Sequence, residues 1–109
     1  MIKIEAVLDE NGILRSCKAS GHAKAGKEGT DIVCASVSCL LGTAFKTISG
    51  RKGITASCDA PEKGRFWLKA DYDAEGKDFL STAGIFLLEG LNSISQEYPK
   101  NCKLTIKQV

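Results

Sequence analysis

Gly21-His22-Ala23-Lys24-Ala25-Gly26-Lys27-Glu28-Gly29-Thr30-Asp31-Ile32-Val33-Cys34-Ala35-Ser36-Val37-Ser38 is where the chain changes its periodicity. Up to Ser20 apolar residues alternate with polar ones, the period of a strand with one buried face. Gly21 ends that strand and lets its backbone approach another segment closely. Ala23 to Thr30 carries Lys24, Lys27, Glu28 and the glycines Gly26 and Gly29, and reads as a flexible polar loop, a lid or a solvated connector. Asp31 is a helix N-cap type, because its carboxylate accepts hydrogen bonds from first-turn N–H groups. On that reading Ile32, Val33 and Cys34 open a helix that runs to about Ser49 and stops at Gly50. Val33, Val37, Leu40, Leu41, Ala44, Phe45 and Ile48 keep the 3.6-residue period and form its apolar face, with Cys39 pointing elsewhere and buried.

Working outward, Ile2, Ile4, Ala6 and Leu8 form a first strand, and Asp9-Glu10-Asn11-Gly12 a hairpin turn into a second strand from Ile13 to Ser20. Beyond the helix, Ile54 to Cys58 and Arg65 to Asp71 read as strands around the turn Asp59 to Gly64, with Trp67 off the buried face of its strand. Asp71-Tyr72-Asp73-Ala74-Glu75-Gly76 has the start of a calcium loop, but its twelfth position is Thr82 where a bidentate glutamate is needed. Acidic residues ahead of a helix explain it better. That helix runs from about Lys77 to Tyr98, stopped by Pro99. Leu80, Ala83, Leu87, Leu91, Ile94 and Tyr98 form its stripe, widened by Phe79 and Phe86. Gly84 and Gly90 cost about 1 kcal/mol each inside it unless something packs close there. Cys102 to Val109 is the last strand. The order ββαββαβ, with short turns between neighbouring strands, predicts an α+β fold: an antiparallel or mixed five-stranded sheet with two helices. At 109 residues the chain, 1–109, is expected to be one domain.

Cys34 and His22 are the residue pair with chemistry to offer. A free thiol ionises near pH ~8.5, so a cysteine nucleophile needs help at neutral pH. In the first turn of a helix Cys34 would meet the positive end of the helix dipole. His22, the only histidine, would take the thiol proton and later return it to a leaving group. Ser38, one turn beyond Cys34, shares its stripe, and the first-turn N–H groups would suit an oxyanion. Against this, an isolated cysteine in an apolar helix is commonly a packing residue, and a single histidine a loop donor.

The pattern Gly21-His22-Ala23, then Gly29-x-Asp31-Ile32-Val33-Cys34-Ala35-x-Val37-Ser38, resembles the signature of the ribosomal-processing cysteine protease family, Prp, whose length and element order the whole chain shares. The resemblance implies a catalytic dyad of His22 and Cys34; from their positions Gly21, Asp31 and Ser38 are read as supporting residues, Asp31 as a helix cap rather than a third catalytic member, and Gly26 and Gly29 as loop glycines. It implies an endopeptidase that removes the N-terminal extension of a large-subunit ribosomal protein by cutting after an aromatic residue. It also implies a homodimer.

Composition narrows the alternatives. A net charge of +2 does not by itself make a nucleic-acid-binding surface, so nucleic acid is not required as a partner. A non-enzymatic ribosome-associated assembly or RNA-binding module is the second reading; the low net charge and the absence of an aromatic-basic patch argue against it. The N-terminal residues alternate and cannot be a signal peptide, and no run approaches a membrane span, so the protein is expected to be cytoplasmic. The five cysteines, 17, 34, 39, 58 and 102, are an odd set suited to free thiols. No C-x-x-C pair is present, so no metal and no cofactor are expected. A redox pair of Cys34 and Cys39 is disfavoured, because five helical steps place them about 140° apart.

Overall fold

The computed structural model describes residues 1–21, 28–61 and 64–109, and of residues 28–31 the backbone alone. His22 and Gly26 lie outside the described residues.

Ile2–Leu8 (β1) and Leu14–Ser20 (β2) form the antiparallel hairpin expected from their alternation. Glu28–Ile48 (α1) follows, then the antiparallel pair Ile54–Asp59 (β3) and Arg65–Tyr72 (β4). Lys77–Glu97 (α2) and Cys102–Gln108 (β5) complete the order ββαββαβ. The five strands lie in the order β3-β4-β2-β1-β5, with β5 parallel to β1 and every other pair antiparallel, so the sheet is mixed.

Strand alternation decides which face is covered. Ile2, Ile4, Ala6, Cys17, Ala19, Leu68 and Ala70 are buried on the face that meets the helices. The helices answer with Val33, Val37, Leu41 and Ile48 from α1 and Leu80, Leu87 and Leu91 from α2, all essentially without exposure. The costly glycines of α2 are close-packing positions: a Cβ on Gly90 would meet the Leu40 side chain of α1 at 3.0 Å, and one on Gly84 would meet Leu14 at 3.0 Å. A side chain at either site would therefore have to push its neighbour aside by a few tenths of an ångström. Phe86 departs from expectation: it is 74% exposed, next to Ile85 at 60%, on the outer side of α2. The helix has a narrower inner stripe than the count of apolar residues implied.

The larger correction concerns α1, which begins at Glu28 rather than after Asp31. Gly29 is therefore helical rather than part of a loop, and Asp31 is the fourth helical residue rather than the N-cap. Cys39 is exposed rather than buried, its Sγ 4.0 Å from Thr43 Oγ1 on the outer side of the helix.

The β1–β2 turn is fastened by one carboxylate. Asp9 Oδ1 accepts hydrogen bonds from the backbone N–H groups of Asn11 (2.8 Å) and Ile13 (3.0 Å), and its Oδ2 accepts one from the Tyr72 hydroxyl of β4. The Tyr72 hydroxyl, then the Ile13 N–H, hold the Asp9 carboxyl below its usual pKa, against the opposing effect of burial. A group whose folded pKa is depressed stabilises fully above its unfolded pKa, and that contribution is lost as pH falls through the folded value. Asp9→Asn should therefore lower the unfolding temperature most at neutral pH, and the gap to wild type should close below about pH 4. A gap of constant size from pH 7 down to pH 3, measured by thermal unfolding, would assign the loss to something other than the carboxylate.

The acidic stretch before α2 forms a turn rather than a helix cap: Gly76 is the N-cap with no side-chain cap bond, and Asp78 is the acidic residue of the first turn. Asp73 Oδ1 accepts from the N–H groups of Glu75 (2.8 Å) and Gly76 (3.3 Å), turning the chain into the helix.

Candidate active site

Where the upper ends of β1, β2 and β4 meet the first half of α1, a cleft of about 240 Å³ opens. Cys34 and Ser38 of α1 and Gly21 at the end of β2 all line it, so three of the residues singled out from the sequence are brought together. Val37 and Leu41 from α1, Ile2 from β1 and Phe66 from β4 make its apolar floor.

Gly21 explains why β2 ends here. Its φ is +119°, a conformation that L side chains rarely adopt, and a Cβ on it would overlap the carbonyl oxygen of Met1. Its N–H donates to the Gly64 carbonyl at 3.0 Å, tying the strand end to the β3–β4 connection. Gly21→Ala should cost about 1–3 kcal/mol for the backbone conformation alone, and more for the overlap. Urea unfolding that is unchanged by this substitution would show that the strand end is not so constrained. His22 is the next residue in the chain.

Cys34 is half-buried, with access to the cleft. It is the seventh residue of α1, not the third. The dipole acts within the first turn, and the N–H groups left unpaired by a helix are its first four. Neither the dipole nor a free first-turn N–H is therefore available at Cys34, which corrects two expectations: that the dipole serves its thiol, and that first-turn N–H groups beside it serve an oxyanion. Ser36 bonds back to the helix, donating to the Ile32 carbonyl at 2.8 Å, while Ser38 lies at the cleft.

The remaining cysteines are elsewhere. Cys17 is buried in the sheet and its thiol is pushed up to about 12 by desolvation. Burial also raises the Cys102 thiol. Cys39 is exposed on the far side of α1, and Cys58 is half-buried on β3. Among the described residues, only Cys34 among the five cysteines lines the cleft. A second hollow, about 270 Å³, lies between the helices, walled by Leu40, Ala44, Phe79, Ala83, Phe86 and Leu87. It holds no cysteine and no titratable side chain, so it has no part in such chemistry. Among the described residues no three His, Cys, Asp or Glu side chains are grouped to hold a metal ion.

Sequence reasoning missed the β4 side of the cleft, Arg65 and Phe66, and the turn residues Ala60 and Gly64. The signal is the β2–β4 register, Ala19 against Phe66 and Ser20 against Arg65. That pairing joins strands separated by a helix and another strand, which alternation within each strand does not reveal.

A family model described as cysteine protease Prp matches residues 1–103. The curated ribosomal processing cysteine protease Prp of Staphylococcus aureus strain Mu50 is 27% identical over 110 residues, covering 98% of this chain and 100% of that protein. Two crystal structures of an essential ribosomal processing protease Prp from S. aureus share the fold. The complex with a substrate peptide superposes with a TM-score of 0.82 at 25% identity, over 98% of this chain and 100% of that one. The complex with a covalently linked product peptide gives 0.81 at 26% identity, over the same shares of the two chains.

Proposed function

We propose, from the premise that this chain belongs to the cysteine protease Prp family, that residues 1–109 act as one protease domain that removes the N-terminal extension of a large-subunit ribosomal protein. Cutting follows an aromatic residue, Cys34 is the nucleophile, and His22 is its base. The carrying observation is that Cys34 is the one cysteine at the cleft.

Cys34 Sγ attacks the scissile carbonyl carbon as His22 takes the thiol proton. Collapse of the tetrahedral intermediate breaks the C–N bond, and His22 gives the proton to the departing amine. A thioester remains on Cys34. His22 then takes a proton from water as the water oxygen attacks; the C–S bond breaks, the imidazolium returns its proton to the thiolate, and the carboxylic acid product loses its proton to solvent. With α1 starting at Glu28, the thiol has no helix terminus beside it, which gives the histidine the whole task of proton removal. The floor of Ile2, Val37, Leu41 and Phe66 suits an aromatic side chain on the residue before the cut. Gly21 holds the chain against Met1 at the cleft edge, and Ser38 and Asp31 on α1 support the dyad. The same reading has the enzyme as a homodimer in the cytoplasm. The solvent-facing Ile85 and Phe86 are in keeping with a subunit contact, and five free thiols with a reducing compartment.

The test is incubation with a peptide spanning an extended ribosomal-protein N-terminus, read by mass spectrometry. One cut on the C-terminal side of an aromatic residue supports the reading; an intact peptide from the protein's own organism counts against it. The dyad has its own check. His22→Ala should remove the low-pH shoulder of iodoacetamide alkylation at Cys34, resolved from exposed Cys39 by peptide mapping. A Cys34 profile identical to wild type would exclude His22 as the base.

A further inference from the structure

The face of the sheet turned away from the helices gathers residues far apart in sequence. Strand register sets Trp67 of β4 beside Lys18 of β2, Lys18 beside Glu5 of β1, and Lys3 of β1 beside Lys103 of β5. Lys69 Nζ stands 5.1 Å from the centre of the Trp67 ring. All four lysines are exposed, and the indole is half-exposed among them.

The acidic groups on this face are unevenly placed. Glu5 is engaged by Lys107 at 3.1 Å. Asp59 and Asp71 lie toward the β3 side, Asp59 directly beside Trp67. Positive charge therefore runs the other way, from Trp67 and Lys18 through Lys3 to Lys103, over three strand spacings or about 14 Å. Lys3 and Lys103 are side by side on neighbouring strands, an arrangement of like charges that costs stability unless an anion lies across it. A polar hollow of about 340 Å³ opens next to the indole, bordered by Lys18, Ser20, Pro61 and Trp67.

A row of ammonium groups spaced across strands can follow a phosphate backbone, and an indole at its end offers a stacking face that accepts any base. We propose that this face binds single-stranded RNA, with one base in the hollow against Trp67 and the following phosphates along Lys18, Lys3 and Lys103. A duplex keeps its bases stacked on each other and leaves the indole unused. An acidic peptide would satisfy the lysines but not the ring. The hollow and the Cys34 cleft share Ala19, Ser20, Arg65 and Phe66 along their common border, so bound RNA would lie against the back of the peptide site.

Trp67 is the only tryptophan, so its emission reports the site directly. The experiment titrates the full chain with a fluorescein-labelled oligouridine of about 12 nucleotides at roughly 50 and 200 mM salt, following polarisation and tryptophan emission together. Polarisation should rise and Trp67 should be quenched over one concentration range. Three neutralised phosphates give a slope of log affinity against log salt of about −2, at about −0.7 per contact. Lys3→Gln with Lys103→Gln should reduce that slope by about 1.4. Trp67→Leu should weaken binding about tenfold with the slope kept, and Trp67→Phe should restore most of it. The lysine pair is at the surface, so its result does not depend on whether Trp67→Leu folds. Absence of binding at the lower salt overturns the proposal, as does polarisation without quenching, a slope indifferent to the lysine pair, or displacement by polyglutamate as effective as by unlabelled RNA. None of these readings uses peptide cleavage, so the proposal stands or falls separately from the protease assignment.

Discussion

Cys34→Ala is expected to reduce peptide cleavage by about 10⁴-fold or more, the scale seen when a covalent nucleophile is removed. The side chain is half-buried at the edge of the cleft, and the substitution deletes one sulfur without opening the core. The unfolding midpoint should consequently move by no more than a few degrees, and the variant should still bind the peptide on its floor of Val37, Leu41 and Phe66. Cys39→Ala, on the exposed side of the same helix, should cleave like wild type. Turnover by Cys34→Ala at more than about one hundredth of the wild-type rate would remove it as the nucleophile. A fold that collapsed with the sulfur would instead make Cys34 a packing residue.

Leu41→Ala should produce the largest change in stability. Leu41 is 0% exposed, lies on the inner face of α1, and is also part of the cleft floor. Truncating such a leucine costs about 2–5 kcal/mol, from lost burial and from the cavity left behind. At about 4–8 °C per kcal/mol for a domain near this size, the midpoint should fall by roughly 8–40 °C. The same cavity would enlarge the cleft beneath the substrate, so cleavage measured well below the new midpoint should show a raised KM. A midpoint shift under about 5 °C would mean that the helix relaxes into the space. Leu41→Met, which keeps the volume, should cost under about 1.5 kcal/mol and serves as the comparison.

Legibility from the sequence followed the range of each interaction. Alternation in Ile2, Ile4 and Ala6 and the 3.6 period of Val33, Val37 and Leu41 are local patterns, and they placed every element. The start of α1 was misplaced because Gly29 reads as a breaker and Asp31 as a cap. Each tendency is worth about 1 kcal/mol, which the surroundings of a helix can outweigh. Phe86 was misassigned because apolar character does not say which side of a helix is inner. Cys34 was singled out from its signature and lines the cleft, whereas the β4 wall opposite it depends on the non-local β2–β4 pairing. The basic and aromatic face was hidden for the same reason. Lys3, Lys18, Trp67 and Lys103 are scattered through a chain of small net charge, and only register makes them neighbours.

The parallel pairing of β1 with β5 bears on how the molecule is assembled. Ile2 lies against Cys102 and Ile4 against Leu104, partners one hundred positions apart. Contacts of such separation form slowly, because the loop they close must lose its entropy before the contact repays it. The β1–β2 hairpin can zip early, but β1 then waits with one bare edge until β5 reaches it. During that wait its N–H and C=O groups, flanked by the uncovered Ile2 and Ile4, offer a template to any other extended chain. The rate at which β5 docks, rather than the strength of the finished core, therefore sets how much of a refolding population is lost to aggregation.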